Sequence, residues 1–171
     1  MTGPAVAIRS ALTSAQAEAV IRPVAGEWQP WAEKKLYYPY FWFQIRCTAS
    51  TPLGRSSVRV SCLVDTRTRL GSTADPFELE PIVPETGELV KPRLTRTEAL
   101  EIAHRYVAYV AGARRKALVV PELQTLNEDL VHKPFWIVKC SKPGEAAFRV
   151  LVDAVTGGFY VLGPTDVAQP A

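Results

Sequence analysis

The sequence predicts an α+β protein made of two tandem repeats, each a helix packed on a three-stranded antiparallel sheet. Three observations carry this expectation. Phe43-Gln44-Ile45-Arg46-Cys47, followed by Cys62-Leu63-Val64-Asp65-Thr66-Arg67-Thr68, recurs as Trp136-Ile137-Val138-Lys139-Cys140, followed by Val150-Leu151-Val152-Asp153-Ala154-Val155-Thr156. A helix-like stretch opening on Leu-Thr precedes each copy, at Leu12-Thr13 and Leu94-Thr95. When the copies are aligned on their cysteines, Phe43, Ile45 and Cys47 match Trp136, Val138 and Cys140, while Val60, Cys62 and Val64 match Phe148, Val150 and Val152. One pleat parity is thus apolar in both copies, as expected where a sheet buries one face. Recurrence of this length describes a supersecondary unit that buries its apolar face against a neighbour.

The elements follow in order. Residues 1–11 read as a flexible leader, 12–74 as the first repeat, 75–93 as an acidic linker, 94–163 as the second repeat and 164–171 as a tail. Thr13-Ser14-Ala15-Gln16 is a capping box, and Pro23 and Gly26 close the helix that it opens. Trp28, Pro30 and Trp31 form an irregular aromatic connection to a strand over 36–47. Thr51-Pro52-Leu53-Gly54 is a turn, and the alternation of Val58, Val60, Cys62 and Val64 with Arg59 and Ser61 marks the partner strand. From Asp75 to Pro92, five Pro and Gly residues among four glutamates predict little regular structure. Thr95-Arg96-Thr97-Glu98 is a second capping box, with Leu100, Ala103, Val107 and Val110 as a helical stripe that ends near Gly112. A short strand over 118–120, a loop or helical turn over 123–130 and a meander over 135–140, 147–153 and 159–162 complete the chain, with Lys142-Pro143-Gly144 and Gly157-Gly158 as its turns.

Composition narrows the function classes. Apolar residues make up 47% of the 171 and charged residues 22%, a globular balance. The net charge of +3 is small and its basic residues are scattered, against the clustered pattern of a nucleic-acid binder. Arg114-Arg115-Lys116 reads as the cationic end of a helix. No apolar run approaches the roughly 20 residues that span a bilayer, so no membrane insertion is expected. With no visible secretory signal and an odd count of three cysteines, a complete chain is expected in the cytoplasm.

Leu94, Thr95, Glu98, Ala99, Leu100, Ile102 and Ala103, followed by Phe135-Trp136-Ile137-Val138 and Leu151-Val152-Asp153-Ala154-Val155-Thr156-Gly157, resemble the PepSY family. The likeness covers Leu94 to Leu162; the first copy departs from it where Arg69 and Leu70 replace the two glycines. The resemblance implies small α+β modules of the kind found in metallopeptidase propeptides and cell-envelope proteins, where they are thought to bind and sometimes inhibit a partner. Two departures stand beside it: most members are extracytoplasmic, and no peptidase domain is attached here.

The candidate chemistry is sparse. Asp65 and Asp153 could be a carboxylate pair, which needs a separation of roughly 5 to 9.5 Å, but each stands just before a turn, where a carboxylate accepts backbone amides. Cys47, Cys62 and Cys140 lack metal-ligand spacing and fall on the inferred core face, and neither His104 nor His132 is placed beside a thiol as a base. No catalytic residue, cofactor or metal is therefore assigned. The distinctive feature is aromatic: Trp28, Trp31, Tyr37, Tyr38, Tyr40, Phe41 and Trp42 lie within fifteen residues. Tyr38, Tyr40 and Trp42 share the parity opposite to the core; either the linker or the other repeat covers that face, or it is an exposed patch, in which case these residues with Trp28 and Trp31 are the expected partner-binding residues, for a protein partner or self-association. The expected function is a non-enzymatic protein-binding or regulatory module, inhibitory in the manner of PepSY modules. The alternative is a small-ligand binder or unrecognised enzyme whose pocket lies between the repeats, near His104, Cys47 or Cys140.

Overall fold

A computed structural model describes residues 4–115 and 120–163. The expectations for Lys116, for the start of the strand at 118–120 and for the tail fall outside these residues. The described residues form β1 (Ala5–Ile8), α1 (Ser14–Ala25), β2 (Gln29–Thr51), β3 (Gly54–Asp65), β4 (Gly71–Thr73), β5 (Leu79–Ile82), α2 (Arg96–Arg115), β6 (Glu122–Ser141), β7 (Phe148–Asp153) and β8 (Phe159–Leu162). They make two helices and eight strands in a mixed sheet. The chain divides into two compact units, residues 1–38, 78–91 and 132–171 in the first and 39–77 and 92–131 in the second.

In the second unit β2 pairs antiparallel with β3 from Tyr40–Asp65 to Thr51–Gly54, and β4 extends β3. The ladder starts immediately after Pro39, which has no N–H to donate. Alternation sends Phe43, Ile45 and Cys47 of β2, with Cys62 and Val64 of β3, to one face. There they bury against Leu94, Ala99, Ala103, Val107 and Ala111. Small residues along this stripe of α2 let the helix lie close to the strands. The capping box starts the helix as expected: the Thr95 amide donates to Glu98 at 2.8 Å and the Glu98 amide to Thr95 Oγ1 at 3.3 Å.

In the first unit β6 pairs antiparallel with β7 from Phe135–Asp153 to Cys140–Phe148, and β8 follows β7. This ladder likewise begins just after a proline, Pro134. Val138, Cys140, Val150 and Val152 bury against Ala17, Ile21 and Ala25 of α1, which opens on its capping box and ends at Gly26 in the left-handed region (φ 60°).

The expected fold is corrected by these two cores. α2 covers the hairpin that precedes the linker, and α1 covers the hairpin that follows α2, so neither helix packs on the hairpin of its own copy, although Leu123 of β6 also packs against the α2 core. The protein is not two repeats of a helix on a three-stranded sheet. The strands also differ in length. β2 runs 23 residues and includes the expected irregular connection, while β6 runs 20 and absorbs the expected loop over 123–130. The leader contains β1 and the acidic segment contains β5; the two pair antiparallel, with Ala5 opposite Ile82. Arg9 forms an ion pair with Glu78, giving the acidic segment a basic counterpart in the leader.

The cysteine alignment is corrected by two residues. Cys62 pairs with Phe43, and Val150 with Val138, so matching the hairpins by their ladders superimposes Pro39 on Pro134 and leaves Cys47 and Cys140 at different positions. A slip of two keeps the pleat parity, so Val138, Cys140, Val150 and Val152 still share one face.

Candidate functional site

Asp65 and Asp153 are turn residues. Asp65 Oδ1 accepts the amides of Arg67 (2.8 Å) and Thr68 (3.0 Å), and Asp153 Oδ1 those of Val155 (2.9 Å) and Thr156 (3.2 Å). The backbone closes both turns in the same way: Arg69 N–H donates to Asp65 at 3.0 Å and Gly157 N–H to Asp153 at 2.8 Å. The fifth residue of each turn is left-handed, at φ 63° for Arg69 and 79° for Gly157. Asp153 is buried and also pairs with Lys133. Burial pushes its carboxyl up, but Lys133, Thr156 and the Val155 amide outweigh this and hold it below its ordinary value.

All three cysteines are free and buried. Cys47 and Cys62 line the core of the second unit and Cys140 that of the first. Burial pushes the Cys62 thiol up to about 11 and raises Cys140 as well, the reverse of an activated nucleophile. His104 Nε2 lies 3.1 Å from Thr125 Oγ1, and His132 Nδ1 lies 3.1 Å from the Val6 carbonyl. Burial lowers the pKa of His132, favouring its neutral ring. Among the described residues no group of three His, Cys, Asp or Glu side chains could hold a metal ion.

The five aromatic candidates separate. β2 passes from the first unit to the second between Tyr38 and Pro39, so Tyr38 and Trp42 do not belong to one unit. Trp28 packs edge-on against Phe148 at 4.9 Å beside the core of the first unit, and Tyr38 edge-on against Phe135 at 6.2 Å. Phe135 and Ile137, on the pleat parity opposite to Trp136 and Val138, are each only 6% exposed. Trp31 stands open at 61% exposure. Tyr40 is half-buried opposite Asp65. Trp42 is half-buried too: its indole N–H donates to Ser61 Oγ at 2.8 Å and its ring meets Phe77 edge-on at 5.4 Å.

Around Trp42 the β2–β3 ladder builds a coherent surface. Residues directly opposite share a face, so Trp42 lies beside Leu63, Gln44 beside Ser61 and Arg46 beside Arg59, all on the side away from α2. Arg46 donates to Gln124 at 3.3 Å, whereas Arg59 is exposed and has no partner among the described residues. Two cations directly opposite repel.

No family model, curated protein or solved structure matches the chain. Among the described residues no helix is long and apolar enough to cross a membrane.

Proposed function

We propose that the chain is a non-enzymatic protein-binding module that uses the β2–β3 face turned away from α2. The observation carrying this reading is the pair Arg46–Arg59, held directly opposite each other on the same face as the half-buried Trp42 and Leu63, with the Gln44–Ser61 pair between them. A carboxylate-bearing segment relieves the repulsion between the guanidiniums, which bind carboxylates in forked geometry, while Trp42 and Leu63 supply apolar area. The partner is accordingly a protein with an acidic segment flanked by an apolar residue. Trp28 and Tyr38 are committed to packing in the first unit, so the proposal rests on Trp42 rather than on all five rings.

Affinity capture from lysate of the native host, with Trp42→Ser and Arg59→Glu as controls, tests it. One co-purifying protein lost with both variants, and released by raised salt, is expected. Arg59 is exposed, so Arg59→Glu leaves the fold intact, and an unchanged capture profile with that variant overturns the reading.

A further inference from the structure

A different feature of the second unit points to a small ligand. Arg69, Ile102, Arg105, Tyr106 and Tyr109 line an open cleft of about 370 Å³, near the lower end of the range for small-molecule sites. Its walls carry two guanidiniums, two phenol rings and no carboxylate.

One wall is fixed in place. The Tyr106 hydroxyl accepts the Thr73 amide at 2.9 Å and shares a hydrogen bond with Thr73 Oγ1 at 2.9 Å. Gly71 lies so close that a Cβ there would stand 2.9 Å from Tyr106 Cβ. The ring is therefore held by contacts at both ends, as a preorganised binding surface requires.

The cations are placed less comfortably. Arg69 is the one non-glycine residue with positive φ among the described residues, at a turn position where Gly157 serves in the other hairpin. An arginine in the left-handed region is disfavoured, and strained residues of this kind concentrate at ligand sites. Its contact with Glu98 is long, at 3.5 Å, and that carboxylate already accepts the Thr95 amide and hydroxyl at 2.8 and 2.9 Å. Arg105 is exposed and has no partner among the described residues. Tyr109 is 75% exposed on the same helix, four residues further on.

We propose that this cleft binds a small planar aromatic anion, its ring against Tyr106, Tyr109 and Ile102 and its phosphate or carboxylate between Arg69 and Arg105. Guanidiniums present paired donors to an oxyanion, and phenol rings stack on planar apolar surfaces. This inference does not rest on the protein-binding reading, because the cleft shares no residue with the Trp42 face.

Isothermal titration of the full chain with phenyl phosphate, benzoate, phenol and inorganic phosphate tests it. Saturable binding of phenyl phosphate or benzoate is expected, with the tighter of the two naming the anion. Phenol and inorganic phosphate should each bind at least about tenfold more weakly, as expected when one of two interacting groups is missing. Arg105→Gln and Arg69→Gly should each weaken binding by about tenfold. Arg69→Gly is the decisive variant, since it relaxes the turn while removing the guanidinium, so lost affinity cannot reflect lost folding. Arg59→Glu should bind the probe unchanged, which separates failure here from failure of the protein-binding reading. Absent binding, equal affinity for phenol, equal affinity for inorganic phosphate, or full affinity in Arg69→Gly overturns the proposal.

Discussion

Asp153 shows how one residue type is given structural work. Its carboxylate accepts two turn amides and pairs with Lys133 in a nearly water-free position. Its pKa in the folded protein lies below that in the unfolded chain, about 3.9 for an aspartate. Its stabilisation is therefore present above the unfolded value and is lost as pH falls through the lowered folded value. Urea midpoints measured from neutral pH into the acid range should fall across that window. Lys133→Met should lower stability at neutral pH by about 1–2 kcal/mol, since it leaves a buried carboxylate with its amides alone, and should flatten the acid dependence. An unchanged acid profile in that variant would remove Lys133 from the account. The thiols give a second prediction at this scale. With Cys47, Cys62 and Cys140 all buried, none should react with a thiol reagent until urea unfolds the chain. Fast native labelling of any one would place it at an opening rather than in a core.

At the scale of elements, the turns and core faces were legible because their signals are local. The amide-accepting aspartates, the capping boxes and the alternation of Val60, Cys62 and Val64 each depend on a few neighbouring residues. Strand length was not legible. Pro30 and Trp31 read as a break, yet β2 begins at Gln29, because a proline ends a ladder on one side without bending the strand. β1 and β5 are four residues each and carry no periodicity long enough to read; β5 pairs with β1, which also pairs parallel with β6. Register was misread by two residues because the cysteines, the most visible markers, occupy different ladder positions. The cleft had one sign in the sequence: Arg69 stands where the second copy has Gly157. Its other wall depends on a close approach between β4 and α2 that no local pattern announces. Gly71→Ala tests that approach. An added methyl 2.9 Å from Tyr106 Cβ forces the helix or the strand to shift, and should cost about 1–3 kcal/mol in denaturant unfolding. A cost near zero would mean that the β4–α2 contact yields freely and that the Tyr106 wall is not fixed.

At the scale of the whole molecule, the expectation that each helix covers the hairpin of its own repeat is overturned, and local pattern explains why it failed. Both hairpins present a similar face, Phe43, Ile45, Cys62 and Val64 in one and Val138, Cys140, Val150 and Val152 in the other. Both helices offer small and branched apolar residues at helical spacing, so periodicity is satisfied by either assignment. The structure takes the crossed one, and the consequence is physical. A chain cut within the linker separates each helix from its core: residues 1–74 hold α1 and the hairpin that α2 covers, while residues 94–171 hold α2 and the hairpin that α1 covers. Each fragment alone leaves two apolar faces without their native partners, and a short fragment with an incomplete core is not expected to fold. The two fragments expressed separately should each lack dispersed amide resonances in an NMR spectrum. Mixed, they should regain the spectrum of the intact chain, because α1 then finds Val138 and Val150 while α2 finds Phe43 and Cys62. Independent folding of either fragment, with a melting transition close to that of the intact chain, would show that a helix can serve its own hairpin. The crossed packing would then be one of two accessible arrangements rather than the one this sequence requires.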